Sequence, residues 1–276
     1  MGYIFVDDRL VPDSEASVSA MDHGLVAGDG AFEALAVYDG TPFAVRRHLE
    51  RLVRSLAGLR LDPPNLGLIE SAIYDVVQAN RIGFGKVRVT YTAGDGPLGS
   101  DRLESPPRIV VAAAPLGPIP PTARVSISPW PRNERGVLAG LKTTSYAENV
   151  VALDWARSQG SSEVVFPNLA GMLCEGSGSN VFVVVGASLL TPPLSSGCLA
   201  GVTRDLIVEF LGGIEQDIPL AQVTSGEISE AFLSSSLREA QSITHFDDFA
   251  MPVAPGPVSL EIAERFRELI KDNLNP

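Results

Sequence analysis

Apolar positions recur along this chain with two periods. Over 41–60, Val45, Leu49, Leu52, Val53 and Leu56 fall at i, i+4, i+7, i+8 and i+11, which predicts a helix with one apolar face. Arg47, Arg51 and Arg54 make a basic stripe on the same helix. A second helix is predicted over 66–80, with Ile69, Ile73, Val76 and Val77 turned inward. The period then drops to two. Val87, Val89 and Tyr91 alternate with polar residues over 86–92, the mark of a half-buried strand. An unbroken apolar run over 108–114 predicts a buried strand, and 3–6 a short one.

The pattern breaks at Pro115-Leu-Gly-Pro-Ile-Pro-Pro-Thr122, because prolines can continue neither a helix nor a central strand. This stretch reads as a semi-rigid linker between two domains. The expected division is a smaller N-terminal α/β domain over 1–114, the linker over 115–122, and a larger C-terminal domain over 123–276. Strands are predicted over 124–128, 163–166 and 180–185, and helices over 147–158, 203–211 and 261–272. The mixture is α/β (α+β).

Composition narrows the functional classes. The net charge is −12 and 45% of the 276 residues are hydrophobic, which suits a folded domain and disfavours nucleic acid or an anionic membrane as partner. Two cysteines, Cys174 and Cys198, form no CxxC pair, and His23, His48 and His245 show no ligand spacing, so no metal is expected. The start Met-Gly-Tyr-Ile-Phe-Val-Asp lacks the features of a signal peptide, and no apolar run is long enough to span a bilayer. A cytoplasmic protein is expected.

Four segments carry candidate chemistry. Gly201-Val-Thr-Arg-Asp205 opens a helix, with Thr203 as the expected N-cap and free N–H groups suited to an anion. Phe232-Leu-Ser-Ser-Ser-Leu237 offers hydroxyls to the same anion, and otherwise reads as a Ser-rich strand-to-helix turn. Gly140-Leu-Lys142-Thr-Thr-Ser-Tyr146 fails the spacing of a phosphate loop, but a desolvated Lys142 would have a lowered pKa and could attack a carbonyl. In Cys174-Glu-Gly-Ser-Gly-Ser-Asn-Val-Phe182 the dinucleotide fingerprint is incomplete, and Glu175 needs a cationic or N–H partner in so apolar a stretch. Cys174 beside it is expected to be a buried small residue, not a nucleophile. Alone, each segment has an ordinary structural explanation. Together, an anion cradle, a Schiff-base lysine and a carboxylate suit one cofactor, pyridoxal 5'-phosphate.

Along nearly its whole length the chain resembles the class IV aminotransferases, the fold-type IV pyridoxal phosphate enzymes with the two-domain D-amino acid aminotransferase-like fold. The resemblance is carried in order by Asp22-His-Gly-Leu-Val-Ala-Gly-Asp-Gly-Ala-Phe-Glu33, His48-Leu-Glu-Arg-Leu52, Leu141-Lys-Thr-Thr-Ser-Tyr-Ala-Glu-Asn-Val150, Glu175-Gly-Ser-Gly-Ser-Asn-Val-Phe182 and Leu199-Ala-Gly-Val-Thr-Arg204. It implies that Lys142 binds the cofactor aldehyde and shuttles the proton, and that Glu175 holds the pyridine nitrogen protonated. It places Arg51, Val202 through its N–H, Thr203, Ser236 and the adjacent Ser235 on the cofactor phosphate. Tyr146 resembles a tyrosine near the cofactor's 3-hydroxyl, although the lysine-to-tyrosine spacing is one residue shorter here. A homodimer acting on a small-molecule amine is also implied.

The shared residues leave two reactions open. The D-amino acid enzymes carry an Arg-x-His carboxylate trap, but Thr90-Tyr-Thr-Ala-Gly-Asp-Gly-Pro-Leu-Gly-Ser-Asp-Arg102 has no histidine. Its Gly-Pro-Leu-Gly-Ser-Asp-Arg run resembles 4-amino-4-deoxychorismate lyases, which release pyruvate and leave 4-aminobenzoate in the folate pathway. Against this, Glu33 and Ala34 stand where some lyases have a threonine pair. The expectation leans to the lyase, with a branched-chain or D-amino acid aminotransferase as the alternative and a non-catalytic anion-binding protein as a third. Arg102 is a candidate for a substrate carboxylate.

Overall fold

The computed structural model describes residues 2–276, which form two units. The first takes the chain up to Pro118 together with Leu141–Tyr146 and Asn273–Pro276; the second comprises Ile119–Gly140 and Ala147–Asp272. The division falls inside the proline-rich stretch. The segment bearing Lys142, expected in the C-terminal domain, clusters with the first unit instead.

In the first unit, β1 (Tyr3–Val6), β2 (Arg9–Pro12), β3 (Gly30–Tyr38), β4 (Thr41–Pro42), β5 (Gly85–Thr92) and β6 (Arg108–Pro115) form one sheet in the order β2-β1-β6-β5-β3-β4. A short helix, α1 (His23–Val26), precedes β3. Two longer ones, α2 (Val45–Gly58) and α3 (Leu66–Ala79), lie against the sheet, and Leu52, Leu56, Ile69 and Ile73 meet Leu35, Val37, Val87 and Val89 in one core. The expected helix over 41–60 starts late. Thr41 and Pro42 pair with β3, and Ala44 takes a left-handed conformation that turns the chain into α2. The run over 108–114 is not buried throughout, since β6 alternates with Ile109 and Val111 inward. Arg51 does not belong to an exposed stripe. It is buried, while Arg54 is exposed and Arg47 is half-buried.

The second unit is built on nine strands: β7 (Thr122–Ile127), β8 (Glu163–Pro167), β9 (Leu173–Gly176), β10 (Asn180–Val185), β11 (Ser188–Thr191), β12 (Ile214–Glu215), β13 (Ile228–Ser235), β14 (Glu239–Phe246) and β15 (Phe249–Ala250). Their order is β12-β11-β10-β13-β14-β7-β8-β9, with β15 on β14. Three helices, α4 (Ala147–Ser158), α5 (Val202–Leu211) and α6 (Pro257–Asp272), complete it. Val125, Val165, Val181, Val183, Leu233, Ile243 and Phe246 form its core, and Phe182 stacks on Phe232.

The last helix begins at Pro257, earlier than the periodicity over 261–272 shows. Its first N–H groups are met by a carboxylate from another element. Glu230 on β13 accepts from Val258 N at 3.1 Å and Ser259 N at 2.9 Å, a cap no local motif announces. Glu230→Ala is expected to cost about 1–3 kcal/mol, seen as a lower urea midpoint at unchanged m-value.

Candidate functional site

The first unit supplies the lysine. Leu141–Tyr146 runs beside the start of β3: Phe32 N donates to Lys142 O at 3.0 Å, Thr144 N to Gly30 O at 2.8 Å, and Lys142 N to Ser55 Oγ on α2 at 3.1 Å. Gly28 makes the approach possible. Its φ is +69°, and a Cβ there would lie 2.6 Å from Ser145 Oγ, whose hydroxyl donates to Gly28 O. Lys142 Nζ lies 4.4 Å from the centre of the Phe32 ring. Arg88 Cζ stands 3.8 Å from that centre, and Tyr146 meets the ring edge-on at 5.2 Å. The chain has three lysines. Lys86 and Lys271 are exposed, and Lys142 alone is half-buried.

Beneath this segment lies a buried charged group that spacing does not reveal. Arg51 Nε and Nη2 donate to the two Glu33 oxygens at 2.9 and 2.6 Å, and His48 Nδ1 lies 2.7 Å from Glu33 Oε2. A carboxylate can only accept, so His48 carries its proton on Nδ1. Burial alone would push the Glu33 carboxyl up. The Arg51 charge and the hydrogen bonds from Arg51 and His48 outweigh it and hold Glu33 at about 2. Burial pushes His48 below the usual histidine value despite Glu33, so its imidazole is neutral at pH 7.

Arg102, a candidate for substrate, is already engaged. Its Nε and Nη2 grip the two Asp29 oxygens at 2.6 and 2.5 Å, and Nη1 donates to Arg60 O at 3.3 Å. His23 holds Asp29 from the other side, with Nδ1 2.9 Å from Oδ2. A substrate carboxylate at Arg102 would have to displace Asp29.

Glu175 and the segment expected to bind an anion lie in the second unit. Glu175 on β9 has both partners its surroundings demand. Leu199 N donates to Oε2 at 2.9 Å, and Arg132 Nε stands 3.3 Å from Oε1, an ion pair outside hydrogen-bond angles. Arg132 is fixed in turn by the Phe166 ring beneath its guanidinium and by Asn149 Oδ1 at 3.0 Å. Arg132 leaves no signal in the sequence, because no local spacing links it to Glu175. His48 and Arg51, three apart on one helix face, leave a partial one, but nothing local links them to Glu33, which is 15 and 18 residues away.

Thr203 is not the N-cap of α5. Gly201 holds that position with extended φ/ψ and no side-chain cap, and Thr203 is the buried second helical residue. The first-turn N–H groups, those of Val202 and Thr203 among them, have no acceptor within the helix and favour an anion. Gly201 is needed because a Cβ there would lie 2.0 Å from Asn180 Oδ1. Ser235 and Ser236 sit where β13 turns into β14, so this is a strand-to-strand turn and not the strand-to-helix turn expected. Ser234, just before them, is fully buried, and its hydroxyl has no hydrogen-bond partner.

Cys174 and Cys198 are both buried, and burial pushes both thiols up, Cys198 to about 11, so neither is a ready thiolate at pH 7. Among the described residues no group of three or more His, Cys, Asp or Glu could hold a metal ion, and no helix is long and apolar enough to cross a membrane.

Comparison with known proteins identifies the family. The family described as amino-transferase class IV matches residues 30–246. A putative branched-chain-amino-acid aminotransferase of Methanocaldococcus jannaschii is 28% identical over 96% of both chains. Aminodeoxychorismate lyase of Bacillus subtilis is 26% identical over 99% of this chain and 96% of its own. Among solved structures, the T.th. branched-chain amino acid aminotransferase with pyridoxamine 5'-phosphate superposes with a TM-score of 0.91 at 26% identity, covering 98% of this chain and 94% of its own. The family match spans most of the sequence and its fold is the one observed: this chain belongs to the class IV aminotransferase family.

Proposed function

We propose that the chain is a pyridoxal phosphate enzyme in which Lys142 moves the proton, and that its reaction is the release of pyruvate from 4-amino-4-deoxychorismate. The residues fit the cofactor. The first turn of α5 opens at a glycine without a side-chain cap, hydroxyls stand at Thr203, Ser235 and Ser236, Glu175 is held at both oxygens, and one lysine is half-buried. When bound, pyridoxal phosphate supplies an aldehyde for the substrate amine and a pyridinium ring that draws electrons from the neighbouring carbon.

The chain's own groups do the rest. Val202 N–H, the hydroxyls of Thr203, Ser235 and Ser236, and the Arg51 guanidinium bind the phosphate. Glu175 accepts a hydrogen bond from the protonated ring nitrogen. Tyr146 stands by the 3-hydroxyl. Lys142 Nζ would hold the cofactor aldehyde at rest, then take the proton from the amine-bearing carbon and give it to the enolpyruvate group that leaves as pyruvate when the neighbouring ring C–O bond breaks. Arg88, exposed and stacked on the same ring as Lys142, suits a substrate carboxylate, and this favours the second reading given below, an amino-acid substrate.

The observation that carries the choice of reaction is the engagement of Arg102 by Asp29 in a loop without histidine. A trap for the carboxylate next to an amine is what an amino acid requires. The amine-bearing ring carbon of 4-amino-4-deoxychorismate bears no carboxylate and requires none. The second reading, an amino-acid aminotransferase, is favoured by the likeness to branched-chain enzymes. Incubation with 4-amino-4-deoxychorismate in the absence of any keto acid separates them. Pyruvate and 4-aminobenzoate in equal amounts are expected, and turnover that depends on an added keto acid would establish the aminotransferase. A protein whose absorbance is unchanged by added pyridoxal phosphate would be the non-catalytic third case.

A further inference from the structure

We infer that Glu163 and Arg238 are positioning residues that set the Ser235 and Ser236 hydroxyls on the cofactor phosphate, an inference that rests on the cofactor assignment above. Glu163 opens β8 and is 1% exposed. A carboxylate so buried needs a cation and several donors. Its Oε1 accepts from Val164 N at 3.0 Å, from Ser177 N at 3.3 Å and from the Ser177 hydroxyl. Its Oε2 accepts from Ser179 Oγ at 3.4 Å and from Arg238 Nη2 at 3.0 Å.

Both groups of donors lie next to residues assigned above to the cofactor. Ser177 and Ser179 lie in the loop directly after Glu175. Arg238 closes the turn after β13, where its backbone N–H donates to Ser235 O at 3.2 Å and Ser235 Oγ at 3.1 Å. Its other guanidinium nitrogen, Nη1, donates to Gln241, whose amide reaches Pro120 O at 2.6 Å and so fixes the turn to the chain before β7. On the far side, Ser177 O accepts from Asn149, which in turn accepts from Arg132 at 3.0 Å. One continuous polar chain therefore runs from the Arg132–Glu175 pair through Asn149, Ser177 and Glu163 to Arg238. It ties the carboxylate assigned to the ring nitrogen to the hydroxyls assigned to the phosphate. Neither Glu163 nor Arg238 is assigned a contact with the cofactor.

The test compares pyridoxal phosphate with pyridoxal, which lacks the phosphate. Both are titrated into wild type, Arg238→Ala, Arg238→Lys and the double variant Glu163→Gln/Arg238→Gln, followed by absorbance and by the 31P resonance of the bound cofactor. The double variant leaves no unpaired buried charge and so guards against loss of folding in the single one. Arg238→Ala and the double variant are expected to bind pyridoxal phosphate about tenfold more weakly, roughly the effect of losing one hydrogen bond to a charged group. Their 31P resonance should move and their pyridoxal affinity should stay that of wild type, with Arg238→Lys restoring most of the loss. Unchanged pyridoxal phosphate affinity, or equal losses for both ligands, would overturn the inference while leaving the cofactor assignment intact. A wild type that binds neither ligand would overturn both.

Discussion

Replacing Lys142 with alanine is expected to lower turnover by at least about 10⁴-fold, the upper range for a lost general acid–base group, because we propose that this one amine both carries the cofactor and moves the proton. The geometry behind this is local. The backbone of residue 142 is hydrogen-bonded on both sides, to Phe32 and Ser55, so the substitution leaves the segment in place and removes only the amine above the Phe32 ring. The covalent assignment can be read without activity. With only Lys86, Lys142 and Lys271 in the chain, borohydride reduction followed by peptide mass analysis has three lysines to distinguish. The cofactor mass is expected on the peptide containing Lys142 and absent from the variant. A label on Lys86 or Lys271, or full turnover in the variant, would refute the mechanism.

The second large effect concerns stability. Glu33→Ala is expected to cost about 3–5 kcal/mol, because it strands the Arg51 guanidinium without its buried counter-charge. The same group is expected to make the wild type sensitive to acid. Glu33 is held near 2 in the folded chain against 4.5 as its ordinary value, so its contribution is present above pH 4.5 and is lost as pH falls from there towards 2. His48 acts in the same direction at a higher pH. Its folded value lies below 6.5, so the unfolded chain takes up this proton first and stability declines as pH drops through 6.5. His23 works the other way. The Asp29 hydrogen bond raises its value, and its contribution, present below pH 6.5, fades as pH rises through that raised value. Urea midpoints measured from pH 3 to 8 should therefore fall steeply at the acid end in wild type. Glu33→Ala should be less stable at neutral pH and show a shallower decline below pH 4.5. An unchanged acid limb in the variant would show that Glu33 is not the group responsible.

The residues behind these two predictions are not equally legible in the sequence. The helices of the first unit follow from apolar spacing, since α2 and α3 each bury one face and the pattern records it. Lys142 and Glu175 stand out because an isolated lysine among small residues and a carboxylate in an apolar stretch are chemically costly without partners. Other features do not follow. Local preference puts the N-cap of α5 at Thr203, the better capping side chain, two residues past its true place; Gly201 takes it because only a residue without Cβ has room beside Asn180. The start of α6 is hidden because its cap, Glu230, comes from a different strand. The hairpin of β13 and β14 is hidden because the serine-rich turn is compatible with either a strand or a helix after it.

Sequence by itself determined which residue types were available and where along the chain their local order lay: the two apolar helix faces, the alternating strand over 86–92, the proline break, and the lysine and carboxylate. These are properties of neighbours within a turn or two, and short-range sterics and hydrophobic period encode them. Tertiary structure alone decided the partners. That Arg132 meets Glu175, that Arg51 is buried on Glu33 with a neutral His48, that Arg102 is occupied by Asp29, and that the Lys142 segment clusters with the first unit all depend on residues distant in sequence. Such pairings are set by packing and by the cost of leaving a buried charge alone, which acts in space and leaves no fixed spacing in the chain.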